Sequence, residues 1–205
     1  MSHKKTISRL FASIFLIAAT MIQGQEAEKP KVTEAQKASP AQLIAKDSVG
    51  PVRLGMTIAQ VRKALPKLKF ARTTDGEGMA LIEVKNGEVL EMILYAGEEN
   101  PDGPIDEQAK VQLISVFGET YMTAEGVHPG MPLAEVEKRY GKLASITMSE
   151  IESREYAEFA THPVGLSLRV GLPDYGVAGK YPEGKRETKT YVPSAVVRII
   201  EVYGN

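Results

Sequence analysis

The chain is expected to fold in the α+β class, as two tandem repeats, each a helix packed on a roughly three-stranded antiparallel sheet. Three observations predict this. Residues 52–63, VRLGMTIAQVRK, recur at 127–138 as VHPGMPLAEVEK. Within the two copies Ile58, Val61, Leu65 and Leu68 match Leu133, Val136, Tyr140 and Leu143, in steps of three and four that put them on one helical face. The closing segments AKVQLISVFG (109–118) and AVVRIIEVYG (195–204) share Ala, Val, Ile, Val, an aromatic and Gly in register, and their β-branched content reads as strand.

The first 24 residues precede this pattern. Lys4, Lys5 and Arg9 lead into an uncharged run from Leu10 to Ile22, then small and polar residues. That is the order of a secretory signal peptide, too short in its apolar part to span a bilayer comfortably. Cleavage is expected after Gly24, giving a periplasmic or secreted protein with no integral membrane segment. Removing 1–24 leaves 22 basic against 26 acidic residues, net −4. The net charge of −1 on the full chain argues against nucleic acid as the main partner. There is no cysteine, so neither a disulfide nor a lipidated cysteine holds the protein, and stability must come from an apolar core. Residues 25–47, rich in Glu, Lys, Ala and Pro, read as a flexible leader, with a short helix open to the segment 41–46.

The first repeat is expected over 48–121. Gly55 supplies the turn into the helix, Thr57 and Gln60 form a capping box, and Pro66 ends the helix. The stretch MALIEVK-NG-EVLEMILY follows as a hairpin about Asn86-Gly87. Ala80, Ile82, Val84, Val89 and Ile93 are expected on one face and Met79, Leu81, Leu90, Met92 and Leu94 on the other. Both faces are then apolar. Either the two units pack on each other or join their sheets, or an apolar surface is left for a partner.

The second repeat is expected over 122–205. Gly130 and Pro132 open its helix and Gly141 closes it. REYAEFAT and LSLRV form the hairpin about residues 162–165. The connection to the last strand, 172–194, is long for neighbouring strands. It carries Tyr175, Tyr181 and Tyr191 with Lys185 and Arg186, residue types that anchor interfaces. These five are the candidate binding residues. The alternative is a solvated loop with one or two rings packed down.

No catalytic constellation emerges. His128 and His162 lie in turns without a nucleophile or acid at a recurring spacing. The acidic loop EENPDGPIDE (98–107) lacks the alternating-oxygen spacing of a calcium loop. Glu152, Glu155 and Glu158 would serve an enzyme only if they faced one cleft. The expectation is a non-catalytic protein without cofactor or metal.

The phrase L-GMT-x-x-x-V before a helix and hairpin resembles the BamE (SmpA/OmlA) envelope proteins, and its tandem use resembles the β-lactamase inhibitory protein family. The resemblance covers Val52–Leu68 and Val127–Leu143. It implies an exported, non-catalytic module that recognises another envelope protein, with Gly55, Met56, Gly130 and Met131 structural. No contact residue carries over. The alternative function is binding of a small ligand or cell-wall fragment in a groove between the sheets.

Overall fold

The computed structural model describes residues 39–150 and 153–204. The signal segment 1–24, and the leader up to residue 38, lie outside them. Strands β1 (Leu43–Ala45), β2 (Ser48–Val49) and β3 (Val52–Arg53) come first. Helix α1 (Ile58–Ala64) leads to β4 (Lys69–Thr74), β5 (Ala80–Asn86), β6 (Val89–Tyr95) and β7 (Leu113–Val116). After β8 (Met122–Thr123), helix α2 (Leu133–Tyr140) leads to β9 (Leu143–Met148), β10 (Glu155–Phe159) and β11 (Leu166–Gly171). The short β12 (Glu187–Thr188) and the long β13 (Val196–Tyr203) complete the chain.

These elements correct the expected fold class. Among the described residues strand outweighs helix 40% to 9%. The strands form one nine-stranded sheet, β12-β9-β10-β11-β13-β7-β6-β5-β4, and a four-stranded one, β3-β2-β1-β8. The architecture is mostly β, not two helix-on-sheet units side by side. The physical reason lies in the closing segments. Each pairs along one edge with its own hairpin, β7 with β6 and β13 with β11, and β7 and β13 fill each other's remaining edge, Val116 opposite Ile200 and Ile114 opposite Val202. Two further strands, β4 and β9, extend the sheet beyond each predicted hairpin. Leu43–Ala45 is strand rather than helix, running parallel to β8 and burying Ile44.

The helices are short because their stops come early. Leu65 caps α1 just before Pro66, and Gly141 caps α2 with φ of 76°, a conformation that favours glycine. Leu68 and Leu143 thus fall beyond the helices instead of extending the apolar ridge. The helix entries are built alike. Gly55 and Gly130 have φ of 82° and 84°, and their amides donate to Val111 and Val197 carbonyls at 2.7 and 2.8 Å. The Ile58 and Leu133 amides donate to Ala109 and Ala195 at 3.1 and 3.0 Å. The capping box forms as expected, with the Thr57 amide 2.9 Å from Gln60 Oε1.

Register decides what each sheet face carries. Ile82, Leu94, Ile114, Val202, Leu166 and their neighbours on the same face are buried in one continuous core. Ile58, Val61, Leu133, Val136 and Tyr140 from the helices join it, as do Ile44, Val49 and Val52. The opposite face carries Glu83, Ile93, Ser115, Glu201 and Arg169, partly exposed except for Ser115. Neither α1 nor α2 covers it.

A bulge explains why the hairpin faces differ from expectation. Lys85 pairs with Leu90, but Val84 pairs with Met92, so Glu91 is the extra residue in β6. One inserted residue reverses the parity of everything after it. Met92 and Leu94 therefore join Ile82 and Val84 in the core, and Ile93 moves to the open face with Leu81. The bulge turns Glu91 itself inward. Its side chain is buried, and Oε2 has no hydrogen-bond partner. The Glu91 carbonyl is satisfied twice over, accepting from the Phe117 and Gly118 amides at 2.9 Å each.

Candidate functional site

The uncovered face of the large sheet holds two adjoining hollows. One, about 590 Å³, lies over β5, β6 and β7 and is lined by Leu81, Ile93, Tyr95, Leu113 and Tyr156, with Asp75, Glu77 and Glu83 at its outer end. The other, about 550 Å³, lies over β10, β11 and β13 and is lined by Arg154, Arg169, Arg198 and Tyr175 together with the buried Glu155. Phe117, Arg154 and Arg169 line both, so they form a single trough with an apolar lobe and a basic lobe.

Strand parity builds this arrangement. In β10, Glu155, Ala157 and Phe159 point into the core, and Arg154 and Tyr156 take the other face. In β11, Leu166, Leu168 and Val170 are buried, and Arg169 faces out opposite Tyr156. A second bulge, at Arg198, separates the pairs Arg169–Ile199 and Val170–Val197, and Arg198 lines the basic lobe. Bulges of this kind re-aim side chains at sites. The guanidinium of Arg198 stacks on the Tyr175 ring at 4.3 Å and donates to the Leu172 carbonyl at 2.5 Å. Arg169 lies 3.6 Å from Glu201. Burial raises the pKa of Tyr156, with Glu201 adding to the rise and Arg169 and Arg154 opposing it.

Backbone strain concentrates here as well. Among the described residues, the non-glycine positions with positive φ are Ser153 (50°) and Tyr175 (69°). Both line the basic lobe. Strained backbone persists only where the surroundings hold it, commonly at functional sites.

The five loop residues singled out by the sequence are not brought together, though one of them belongs to the trough. Tyr175 is 89% exposed at the rim of the basic lobe. Tyr181 instead points its hydroxyl to Glu155 Oε1 at 2.8 Å, and Tyr191 donates to Glu137 Oε2 at 3.0 Å. Both phenols are held well above the usual tyrosine range, by burial first and by those carboxylates second, Tyr191 up to about 12. Lys185 and Arg186 stand on an exposed turn, where Arg186 donates to the Ser149 carbonyl at 3.0 Å.

The long loop is therefore anchored. Glu155 is 4% exposed and accepts from the amides of Ala178 and Gly179 at 2.5 and 2.7 Å as well as from Tyr181. That also separates Glu155 from Glu158. Glu155 faces the core, and Glu158 is exposed beside His162, with Oε2 3.3 Å from Nδ1. Glu152 lies outside the described residues. The acidic loop is structural too. Glu98 pairs with Arg72, which also donates to the Gly103 and Pro104 carbonyls at 3.3 and 3.0 Å. Among the described residues no group of His, Asp or Glu is placed to hold a metal ion, and no helix is long and apolar enough to cross a membrane.

In the sequence the trough residues show only as the polar beats of alternating strands, in R-E-Y-A-E-F and L-S-L-R-V. Alternation does not reveal that β10, β11 and β13 lie next to β7 and β6, which is what sets the arginines beside the aliphatic row.

No protein-family model matches this chain, and a comparison with curated proteins returns no match. Among solved structures it is similar to the uncharacterized protein yfeY from Escherichia coli, with a TM-score of 0.54 and 14% identity. The alignment covers 79% of this chain and 99% of that one. At that identity the likeness concerns the fold alone.

Proposed function

We propose that this is an exported, non-catalytic binding protein whose open sheet face receives a segment of another protein in the cell envelope. The observation that carries this is the uncovered face itself. The trough places Leu81, Ile93 and Leu113 partly exposed beside charged residues of both signs. An apolar floor rimmed by charge suits a partner segment that buries a few side chains and satisfies its polar groups at the edge. The signal-like N-terminus and the motif resemblance to BamE-type proteins support export and partner recognition.

The test is affinity capture from envelope extract with the wild type, an Ile93→Arg variant and a Lys185→Ala/Arg186→Ala variant. Ile93→Arg places a charge on the apolar floor and should reduce recovery of the partner about tenfold or more, since one lost anchor is worth ~1.4 kcal/mol or above. The double alanine variant should recover it as the wild type does. Equal capture by wild type and Ile93→Arg, or loss only in the double variant, contradicts the assignment of the surface.

A second reading, a small-ligand or cell-wall-fragment binder, is favoured by the size of the hollows. Volumes of about 550 and 590 Å³ lie in the range of small-molecule sites.

A further inference from the structure

We propose that the outer edge of β4 docks the same strand of a second copy of this chain, so that two molecules join antiparallel, β4 to β4, and their large sheets become one. The inference goes beyond the sheet-face reading and does not depend on it, because it uses the rim of the sheet and not its open face.

The repeat points to this edge. Outward from the β13–β7 pair the large sheet runs β11, β10, β9 on one side and β6, β5, β4 on the other, so β9 and β4 are counterparts. The outer edge of β9 is covered by the chain's own β12, Glu187 opposite Thr147 and Thr188 opposite Ile146. Met148 N–H adds a bond to the Arg186 carbonyl at 2.8 Å. Among the described residues β4 pairs with β5 alone. The corresponding loop of the first repeat, 96–112, forms no strand beside β4, and its Glu98 holds the Arg72 side chain instead.

Register shows what the edge offers. Asp75 N–H donates to the Met79 carbonyl at 3.4 Å, in line with the pairs Lys69–Lys85, Ala71–Glu83 and Thr73–Leu81. Bonded and non-bonded pairs alternate along an antiparallel ladder, so the N–H and C=O groups of Phe70, Arg72 and Thr74 point away from β5. Among the described residues none of these groups bonds another loop or strand. Lys69, Ala71 and Thr74 are exposed, and an unpaired row of this kind is a template for a further strand.

The row fits itself. With Arg72 opposite Arg72 of the second copy, Phe70 meets Thr74, and every outward N–H and C=O of the row finds a partner. A shifted register leaves part of the row without partners from β4. On the open face the same register sets Lys69 opposite Asp75 of the second copy and Ala71 opposite Thr73. The first is an opposite-charge pair at a non-hydrogen-bonded position, where side chains lie closest. It answers the lysine that otherwise discourages edge pairing. The contact Lys69 makes within its own chain, to Glu88 at 4.0 Å, is exposed at both ends and holds it weakly. Asp75 accepts the Glu77 and Met79 amides through Oδ1. On the other face each Arg72 is compensated by its own Glu98.

The experiment uses the full mature protein. Sedimentation velocity over a concentration series should show a monomer–dimer equilibrium. Thr74→Pro removes one outward N–H and turns its ring toward the second copy, and should weaken dimerisation about tenfold or more. Register is read with an Ala71→Cys chain and a tagged Thr73→Cys chain, oxidised separately and as a mixture. Positions 71 and 73 of opposite copies lie about 4.5 Å apart between Cα atoms, within disulfide range. Like positions lie on the diagonal, about 7–8 Å apart, beyond that range. The mixture should therefore form the tagged–untagged dimer several-fold faster than either chain cross-links alone. The wild-type sedimentation result stands even if a variant fails to fold. A wild type that stays monomeric at every concentration overturns the proposal, as does a mixture that cross-links no faster than its components. Phe70, Arg72 and Thr74 amides that gain exchange protection only on adding envelope extract assign the edge to another protein and overturn the second copy. Capture with Ile93→Arg bears on the open face alone, so the two readings fail separately.

Discussion

Replacing Glu155 with Leu is expected to destabilise the protein by roughly 2–5 kcal/mol, because two buried amide donors lose their acceptor at about 1–3 kcal/mol each. Those donors are Ala178 and Gly179 N–H, on residues that are themselves buried. The Tyr181 hydroxyl loses its partner as well. For a domain of this size the loss corresponds to a fall in melting temperature of roughly 5–15 °C. Urea denaturation gives the free energy, and hydrogen exchange locates it: the Ala178 and Gly179 amides should lose protection first. Glu155→Gln keeps one acceptor oxygen and should lose less. A leucine variant within about 0.5 kcal/mol of wild type, the ordinary surface range, would show that the loop is held by something else.

The second large effect concerns the middle of the sheet. Ile200 is fully buried and sits opposite Val116 on one side and Leu168 on the other. Ile200→Ala should cost about 2–5 kcal/mol, the lost transfer energy plus the cavity left between strands that cannot close up. Val89→Ala is the matched control, because Val89 is 61% exposed and should change stability by no more than about 0.5 kcal/mol. The shape of the transition carries further information. With one sheet running from β12 to β4, the described fold should unfold in a single step, with backbone and tyrosine signals coinciding. Two separated transitions, of which Ile200→Ala shifts one, would indicate two independent sheets.

Much of the local structure is legible in the sequence, and little of its assembly. The Thr57–Gln60 capping box, the turns at Gly55 and Gly130, and the β5–β6 hairpin, whose turn is Gly87-Glu88 rather than Asn86-Gly87, all rest on contacts within a few residues, where side-chain chemistry dictates conformation. The merger of β7 with β13 depends on residues 84 positions apart in the pairing of Val116 with Ile200, and no local signal encodes it. Strand β4, KFARTT, escapes pattern reading because it is an edge strand with mixed polarity. Strand β9 is obscured because Leu143 continues the helical spacing of Leu133, Val136 and Tyr140 past the Gly141 stop.

The candidate site is subject to the same limit. Tyrosines and basic residues in a long loop suggest an adaptable surface, but Tyr181 and Tyr191 have carboxylate partners far away in sequence, Glu155 and Glu137. A tyrosine committed to a carboxylate fastens the loop and has less to offer a partner. The arginines of the trough sit in or beside the expected strands, where period-two alternation marks them as outward-facing but does not say what they face. The bulges at Glu91 and Arg198 are not announced by glycine or proline, so face parity beyond them is out of reach of pattern alone.

The continuous sheet stands on β7 pairing with β13, since that pairing creates the open face and joins its two lobes. Ser115 lies directly opposite Glu201 on that face. Paired residues on antiparallel strands have Cα atoms about 4.5–5.5 Å apart, within the span that a disulfide bridges. The natural chain has no cysteine, so a Ser115→Cys/Glu201→Cys variant offers a single intramolecular bridge and no competitor. Mild oxidation at low protein concentration should give near-complete intramolecular cross-linking, read as a thiol-free monomer by mass and free-thiol assay. Persistent free thiols, or disulfide-linked dimers in place of that monomer, would contradict the continuous sheet.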